Sequence, residues 1–204
     1  MSEALPELGT ERLVVRLARP GMQGAMARFL SENFEGHLKR WSPPAKPAFF
    51  SEAFWQERLA IAVEEFQRGR AARFVLQARV AESRQAPRLD ADIVGTCNYT
   101  NIVRGPFLAC HLGYQIASSH EGSGLMSEAL RATNAFMFGT LRLHRIMANY
   151  RPENERSGKL LERLGFAHEG LAKDYLFIDG AWRDHILTSL VNPAFDPAWI
   201  EPAG

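Results

Sequence analysis

Cysteine is nearly missing from this 204-residue sequence. Cys97 and Cys110 stand alone, in no CxxC-like spacing, which excludes a disulfide framework and a zinc knuckle and leaves two reduced, half-buried strand thiols. Long apolar runs are missing too. Stretches such as residues 59–63 fall far short of the roughly 20 residues a membrane-spanning helix needs. The opening segment MSEALPELGTER has neither the basic start nor the apolar run of a secretory signal, so a soluble, cytoplasmic protein is expected. Charge of one sign is not in excess. Lys and Arg number 24 against 23 Asp and Glu, a net charge of +1, which gives no global reason for nucleic-acid binding, membrane attachment or a strongly acidic partner. No internal repeat is visible, and no metal is expected.

What is present suits one packed unit. With 46% hydrophobic residues, 204 residues bury a full core, and a single domain over residues 1–204 is expected. Residues 13–17 read as an opening strand ended by Pro20-Gly21, followed by a helix over 22–30. Pro43, Pro44 and Pro47 precede a longer helix over 50–67, and these two helices are expected to cover one sheet face. Residues 74–80 and 93–100 read as a paired hairpin across a polar segment, and 84–89 as loop. Residues 109–116 form a further strand, running through a glycine loop into a helix marked by Leu125, Ala129, Thr133, Phe136 and Met137. A strand over 145–150 precedes a helix over 154–164, closed by Gly165 with Phe166 folding back. Strands 172–178 and 182–190 flank Asp179-Gly180, a hairpin signal, and the proline-bearing tail is expected to be irregular. The sum is a mixed α/β layer fold.

Gly122-Ser123-Gly124 lies where a strand meets a helix, so unpaired N–H groups and the positive helix end converge on a place suited to a pyrophosphate. A third glycine for a dinucleotide fingerprint is absent, since residue 127 is Ser, and so is the Gly-Lys-Ser/Thr of a Walker loop. The pair alone also fits a tight turn with no ligand. Asn154 and Ser157, three apart at a helix start, share a face. Asn154 fits an N-cap equally well.

Together these residues resemble the GNAT acetyltransferase superfamily, with Glu121-Gly122-Ser123-Gly124-Leu125-Met126 in place of its Gln/Arg-x-x-Gly-x-Gly/Ala motif, then Asn154-x-x-Ser157 and Leu164-Gly165-Phe166. Asn101, Arg104-Gly105, His111-x-Gly-Tyr114, the run from His144 to Tyr150, Lys173-Asp-Tyr175 and Trp182-x-x-His185 look like the RimJ type of ribosomal-protein-alanine N-acetyltransferase, over about residues 9–195. The resemblance implies a splayed, mostly antiparallel sheet of about seven strands with helices on both faces. Acetyl-CoA would lie in the wedge between the strand ending near Ala117 and the strand 145–150. It implies that the backbone of Gln115, Ile116 and Ala117 and the side chain of Asn154 hold the pantetheine arm. The amides of Gly122, Ser123, Gly124, Leu125 and Met126 would hold the pyrophosphate, and Ser157 would act as general acid toward the departing sulfur while also contacting the cofactor. Two departures stand out. Glu121 occupies a position usually Gln or Arg, where a carboxylate repels a pyrophosphate unless it turns outward. Related RimL-type enzymes carry an Asp-Glu pair, matched here by Ala117 and Ser118, so no general base carries over.

Reference acidities near 7.7–8.0 for an α-amine and 10.4 for lysine make the neutral fraction at pH 7 differ by roughly 300-fold, which favours an N-terminal acceptor. His111, His120, Glu121 and Asp174 are base candidates by type, each equally an ordinary surface or strand residue. Trp41, Tyr175 and Trp182 fit either an acceptor cleft or the core. The expected function is acetyl transfer to a protein N-terminus, that of a ribosomal protein. The competing readings are acetylation of a small amine such as a polyamine or aminoglycoside, and a non-catalytic CoA-binding regulator.

Overall fold

In chain order, β1 (Glu7–Gly9), β2 (Leu13–Leu17), α1 (Gln23–Asn33), α2 (Glu52–Gln67), β3 (Ala72–Ala78), β4 (Ile93–Val103) and β5 (Ala109–Ile116) come first. α3 (Leu125–Gly139), β6 (Arg145–Tyr150), α4 (Glu155–Arg163), β7 (Ala167–Ile178) and β8 (Ala181–Val191) follow. This computed structural model describes residues 5–79 and 85–200. Val80, the expected end of the strand over residues 74–80, the following residues 81–84 and Pro202 lie outside the described residues.

The strands form one sheet in the order β1-β2-β3-β4-β5-β6-β8-β7, antiparallel at every joint except β5–β6. The strand beyond the expected seven or so is β1, whose three residues pair with β2 and are too few to show a period. β7 starts at Ala167 rather than at residue 172, because Ala167 and His168 pair with Ser189 and Thr188.

Alternation along the strands sends side chains to two apolar layers. Phe74, Leu76, Cys97 and Tyr99 face α3 and α4, packing with Leu130, Met137 and Leu161. Val75 points the opposite way, into a cluster with Met26, Phe29 and Leu30 of α1 and Leu59 of α2. So the first two helices do cover one face. The apolar stripe of α1 runs past residue 30, through a π turn over Phe34–Leu38, because Phe34 and Leu38 continue it into the same cluster. Tyr99 fastens α3 to the sheet, its hydroxyl 2.8 Å from Thr133 Oγ1 and donating to Asn134 Oδ1 at 2.6 Å. The two cysteines are free and fully buried rather than half-buried. Burial pushes the Cys110 thiol up to about 12 and Cys97 higher still, which leaves both unreactive.

Gly165 (φ 86°) ends α4, with the Phe166 N–H donating to Leu161 O at 3.0 Å. Asp179 (φ 49°) and Gly180 (φ 75°) make the β7–β8 turn with the two positive φ angles a tight hairpin requires.

Candidate active site

The parallel ladder between β5 and β6 begins at Ala109↔Arg145 and stops at Leu112↔Ala148. Beyond that point β5 continues against β4 and β6 against β8, so from Gly113 on the β6-facing edge of β5 has no strand partner. A cavity of about 1200 Å³ opens at this wedge. Residues 112–116 of β5, residues 120–122 and 124 of the following loop, the start of α3, the end of β6 and the first turns of α4 wall one part of it. His37, Leu38, Trp41, Phe49, Phe54 and Trp55, from α2 and the segment before it, wall the other.

Gly122 (φ 73°) and Gly124 (φ 80°) both lie in the left-handed region, and Gly124 is the N-cap of α3. A side chain at either position strains the backbone, so the glycines are required by the turn whether or not a ligand binds. The turn is braced from β2's approach. Arg12 Nη1 donates to Ser123 O at 2.9 Å, while its N–H and Nε donate to Glu128 in the first turn of α3 at 2.8 and 2.7 Å. Thr10 adds a bond to the same carboxylate at 2.6 Å.

Asn154 Oδ1 accepts from the Ser157 N–H at 3.2 Å, which is N-cap geometry. The cap leaves the Ser157 hydroxyl pointing into the cavity, 2.6 Å from the Tyr114 hydroxyl on β5. Burial holds the Tyr114 phenol well above its ordinary pKa, with the Ser157 bond pulling weakly the other way. Behind Ser157, α4 lies flat on β6, because a Cβ at Gly158 would stand 2.8 Å from Tyr150 Oη.

Glu121 is the departure that electrostatics accommodates. Its Oε2 is ion-paired with Arg156 Nη1 in the first turn of α4, and its Oε1 lies 3.6 Å from His37 Nε2. His37 in turn bonds Ile116 O at 3.1 Å.

Of the residues singled out in the sequence, Gln115, Ile116, Gly122, Gly124, Met126, Asn154 and Ser157 line the cavity. Ala117, Ser123 and Leu125 do not. Ala117 is buried, with its N–H donating to Val94 O at 2.8 Å and its carbonyl accepting from His120 at 2.9 Å, so the fold already uses both its backbone groups. Of the base candidates, His120 and Glu121 line the cavity, whereas His111 and Asp174 do not. Trp41 lines it and carries the Arg40 and Arg151 guanidinium groups 4.7 and 5.4 Å from its ring. Tyr175 stands one residue back, accepting from Asn149 at 3.2 Å. Trp182 is 60% exposed beside Phe177, so it belongs to neither the cleft nor the core. Sequence reasoning assigned no role to Tyr114, His37, Arg156 or Arg12. Each acts through a partner far away in the chain, and no local spacing announces that.

Residues 12–167 match the model of the Acetyltransferase (GNAT) domain family. The chain belongs to the GNAT acetyltransferases. It is 45% identical over 193 residues to the [ribosomal protein uS5]-alanine N-acetyltransferase of Escherichia coli, covering 93% of each chain. The crystal structure of a ribosomal-protein-S5-alanine acetyltransferase from Vibrio fischeri superposes with a TM-score of 0.85 at 39% identity, over 94% of this chain and all of that one. Mycobacterium smegmatis RimJ in complex with CoA-disulfide gives 0.78 at 29% identity, over 92% and 86%.

GNAT acetyltransferases use acetyl-CoA, and the residues present fit it. The unpaired β5 edge would offer backbone groups to the pantetheine amides. The glycine turn presents N–H groups at the start of α3, and Arg131, Arg156, Lys159 and Arg163 place positive charge along the same wall.

Proposed function

We propose that this GNAT enzyme acetylates the α-amino group of a protein N-terminus, the N-terminal alanine of a ribosomal protein, as a single cytoplasmic domain that needs no nucleic acid. The observation that carries this over a small-amine reading is the charge of the cavity wall. Its carboxylates are Glu121 and Glu128, and both are taken, by Arg156 and by Arg12. Seven cations share that wall: Arg58, Arg73, Arg131, Arg151, Arg156, Lys159 and Arg163. Cosubstrate phosphates suit such a wall, but a polyamine or aminoglycoside, with several positive charges, finds no free carboxylate among the described lining residues. An acceptor with one α-amine, neutral in an appreciable fraction near pH 7, needs none.

Acetyl-CoA, when bound, supplies an acyl group activated as a thioester. The β5 edge at 113–116 orients the acceptor and acyl groups, and the glycine turn anchors the far end. Ser157, held by Asn154 and Tyr114, would donate its hydroxyl proton toward the departing sulfur and regain one from solvent. Because a thiolate is only modestly basic, with a parent pKa about 8.5, this assists rather than controls the rate. The amine proton passes to solvent or to an imidazole of the wall such as His120, since both carboxylates among the described lining residues are paired.

The test is release of CoA thiol with peptides starting in Ala, Ser or Met, alongside spermidine and kanamycin, for wild type and Ser157→Ala. The Ala-starting peptide should turn over, and Ser157→Ala should lower kcat by about ten- to a hundred-fold with acetyl-CoA affinity kept. Turnover of spermidine or kanamycin alone would overturn the acceptor, and binding without any turnover would favour the regulator.

A further inference from the structure

We propose that Glu121 is a built-in competitor for the cosubstrate diphosphate: its carboxylate holds the Arg156 guanidinium until the diphosphate takes it. The inference rests on the acetyl-CoA reading above and goes beyond it by assigning an exchange of partners to one ion pair.

Three observations carry it. First, Glu121 and Arg156 both line the cavity together with Gly122 and Gly124, and they are paired from the loop to α4. An anion seated on the N–H groups of the turn would neighbour that pair, since Gly122 follows Glu121 directly in the chain. Second, the pair is cheap to open. The Arg156 side chain is 76% exposed, and ion pairs of that kind are easily exchanged for a better partner. A diphosphate is such a partner, since it carries more charge than a carboxylate and accepts a forked pair of guanidinium bonds. Third, the released carboxylate has somewhere to go. His37 Nε2 stands 3.6 Å from Glu121 Oε1, the oxygen that Arg156 does not hold. The same Nε2 lies 3.1 Å from Ile116 O at the end of β5, so a carboxylate turned toward His37 shares that single ring N–H with the strand carbonyl.

A residue doing this makes the empty site less cationic than its arginines imply. It weakens cosubstrate and CoA binding alike, and so favours departure of CoA after transfer.

Calorimetric titration of acetyl-CoA, CoA and S-acetylpantetheine into wild type, Glu121→Gln, Arg156→Ala and the double variant tests this without relying on turnover. The expected result is a gain for Glu121→Gln of about three- to ten-fold in affinity for acetyl-CoA and CoA. No gain is expected for S-acetylpantetheine, which lacks the diphosphate, and a smaller gain is expected when Arg156 is already alanine. Unchanged or weaker binding by Glu121→Gln overturns the proposal, because the carboxylate would then be a bystander or a support for Arg156. An equal gain in the Arg156→Ala background also overturns it, leaving plain repulsion. Wild type that binds no acetyl-CoA overturns this inference and the acetyl-CoA reading together, whereas binding by wild type without the gain overturns this inference alone.

Discussion

Ser157 receives its geometry from two directions. Asn154, three residues earlier, fixes its backbone, and Tyr114, 43 residues earlier, fixes its hydroxyl. Burial keeps the Tyr114 phenol protonated throughout the ordinary pH range, so it positions Ser157 rather than delivering a proton itself. Tyr114→Phe removes that one bond while keeping the ring. It should lower kcat by roughly ten-fold and leave the acetyl-CoA dissociation constant within about two-fold, read by steady-state kinetics beside calorimetry. Added to Ser157→Ala it should cost little more, because both act through one hydroxyl. Independent, multiplying losses would show that Tyr114 acts by another route. The Asn154–Ser157 pair was legible because three residues on a helix always share a face. Tyr114 stood in the quoted His111-x-Gly-Tyr114 stretch with no role attached, since a strand residue's helical partner is set by packing.

At the scale of elements, the glycine turn and α3 depend on a clasp from the chain before β2. Glu128 collects bonds from Thr10 and from the Arg12 backbone and guanidinium. Its burial opposes the charged form, but those bonds together outweigh burial and hold the carboxyl below its usual value of 4.5. A carboxylate with a lowered folded-state pKa stabilises the fold fully above its unfolded pKa, and that contribution fades as pH falls through the folded value. The stability difference between wild type and Glu128→Gln should therefore be constant from about pH 7 to about pH 5 and shrink below about pH 4, as followed by urea denaturation. A difference that persists at about pH 3 would show that the carboxylate charge is not what closes the clasp. The glycines of this turn could be read from their place between strand and helix, but the clasp could not. Thr10, Arg12 and Glu128 are ordinary polar residues until β2 and α3 are brought side by side.

For the whole molecule, one sheet with an apolar layer on each face ties the first helices to the last strands. β3 illustrates the tie: Phe74 and Leu76 belong to one layer and Val75 to the other. Thermal unfolding should accordingly be a single calorimetric transition, its calorimetric and van't Hoff enthalpies agreeing. Two transitions would show that the α1–α2 layer with its aromatic wall is an independent unit and would break the single-domain expectation. The element list came through largely as read, since periods of two and 3.6 are local properties of strands and helices. β1 and the π turn after α1 escaped because three residues show no period and because Phe34 and Leu38 extend an existing stripe through an irregular turn.

By itself, then, the sequence determined the strands and helices of the sheet core, the glycine turn and the capped helix that carries Ser157, all written in spacings of a few residues, and its longer motifs carried the resemblance to the GNAT family. Only the tertiary structure decided where β5 and β6 part, which hydroxyl Ser157 meets, and that Glu121 faces Arg156 and His37. The physical reason is that such pairings join residues tens of positions apart. Their distances are set by how the layers pack, so no local period or motif encodes them.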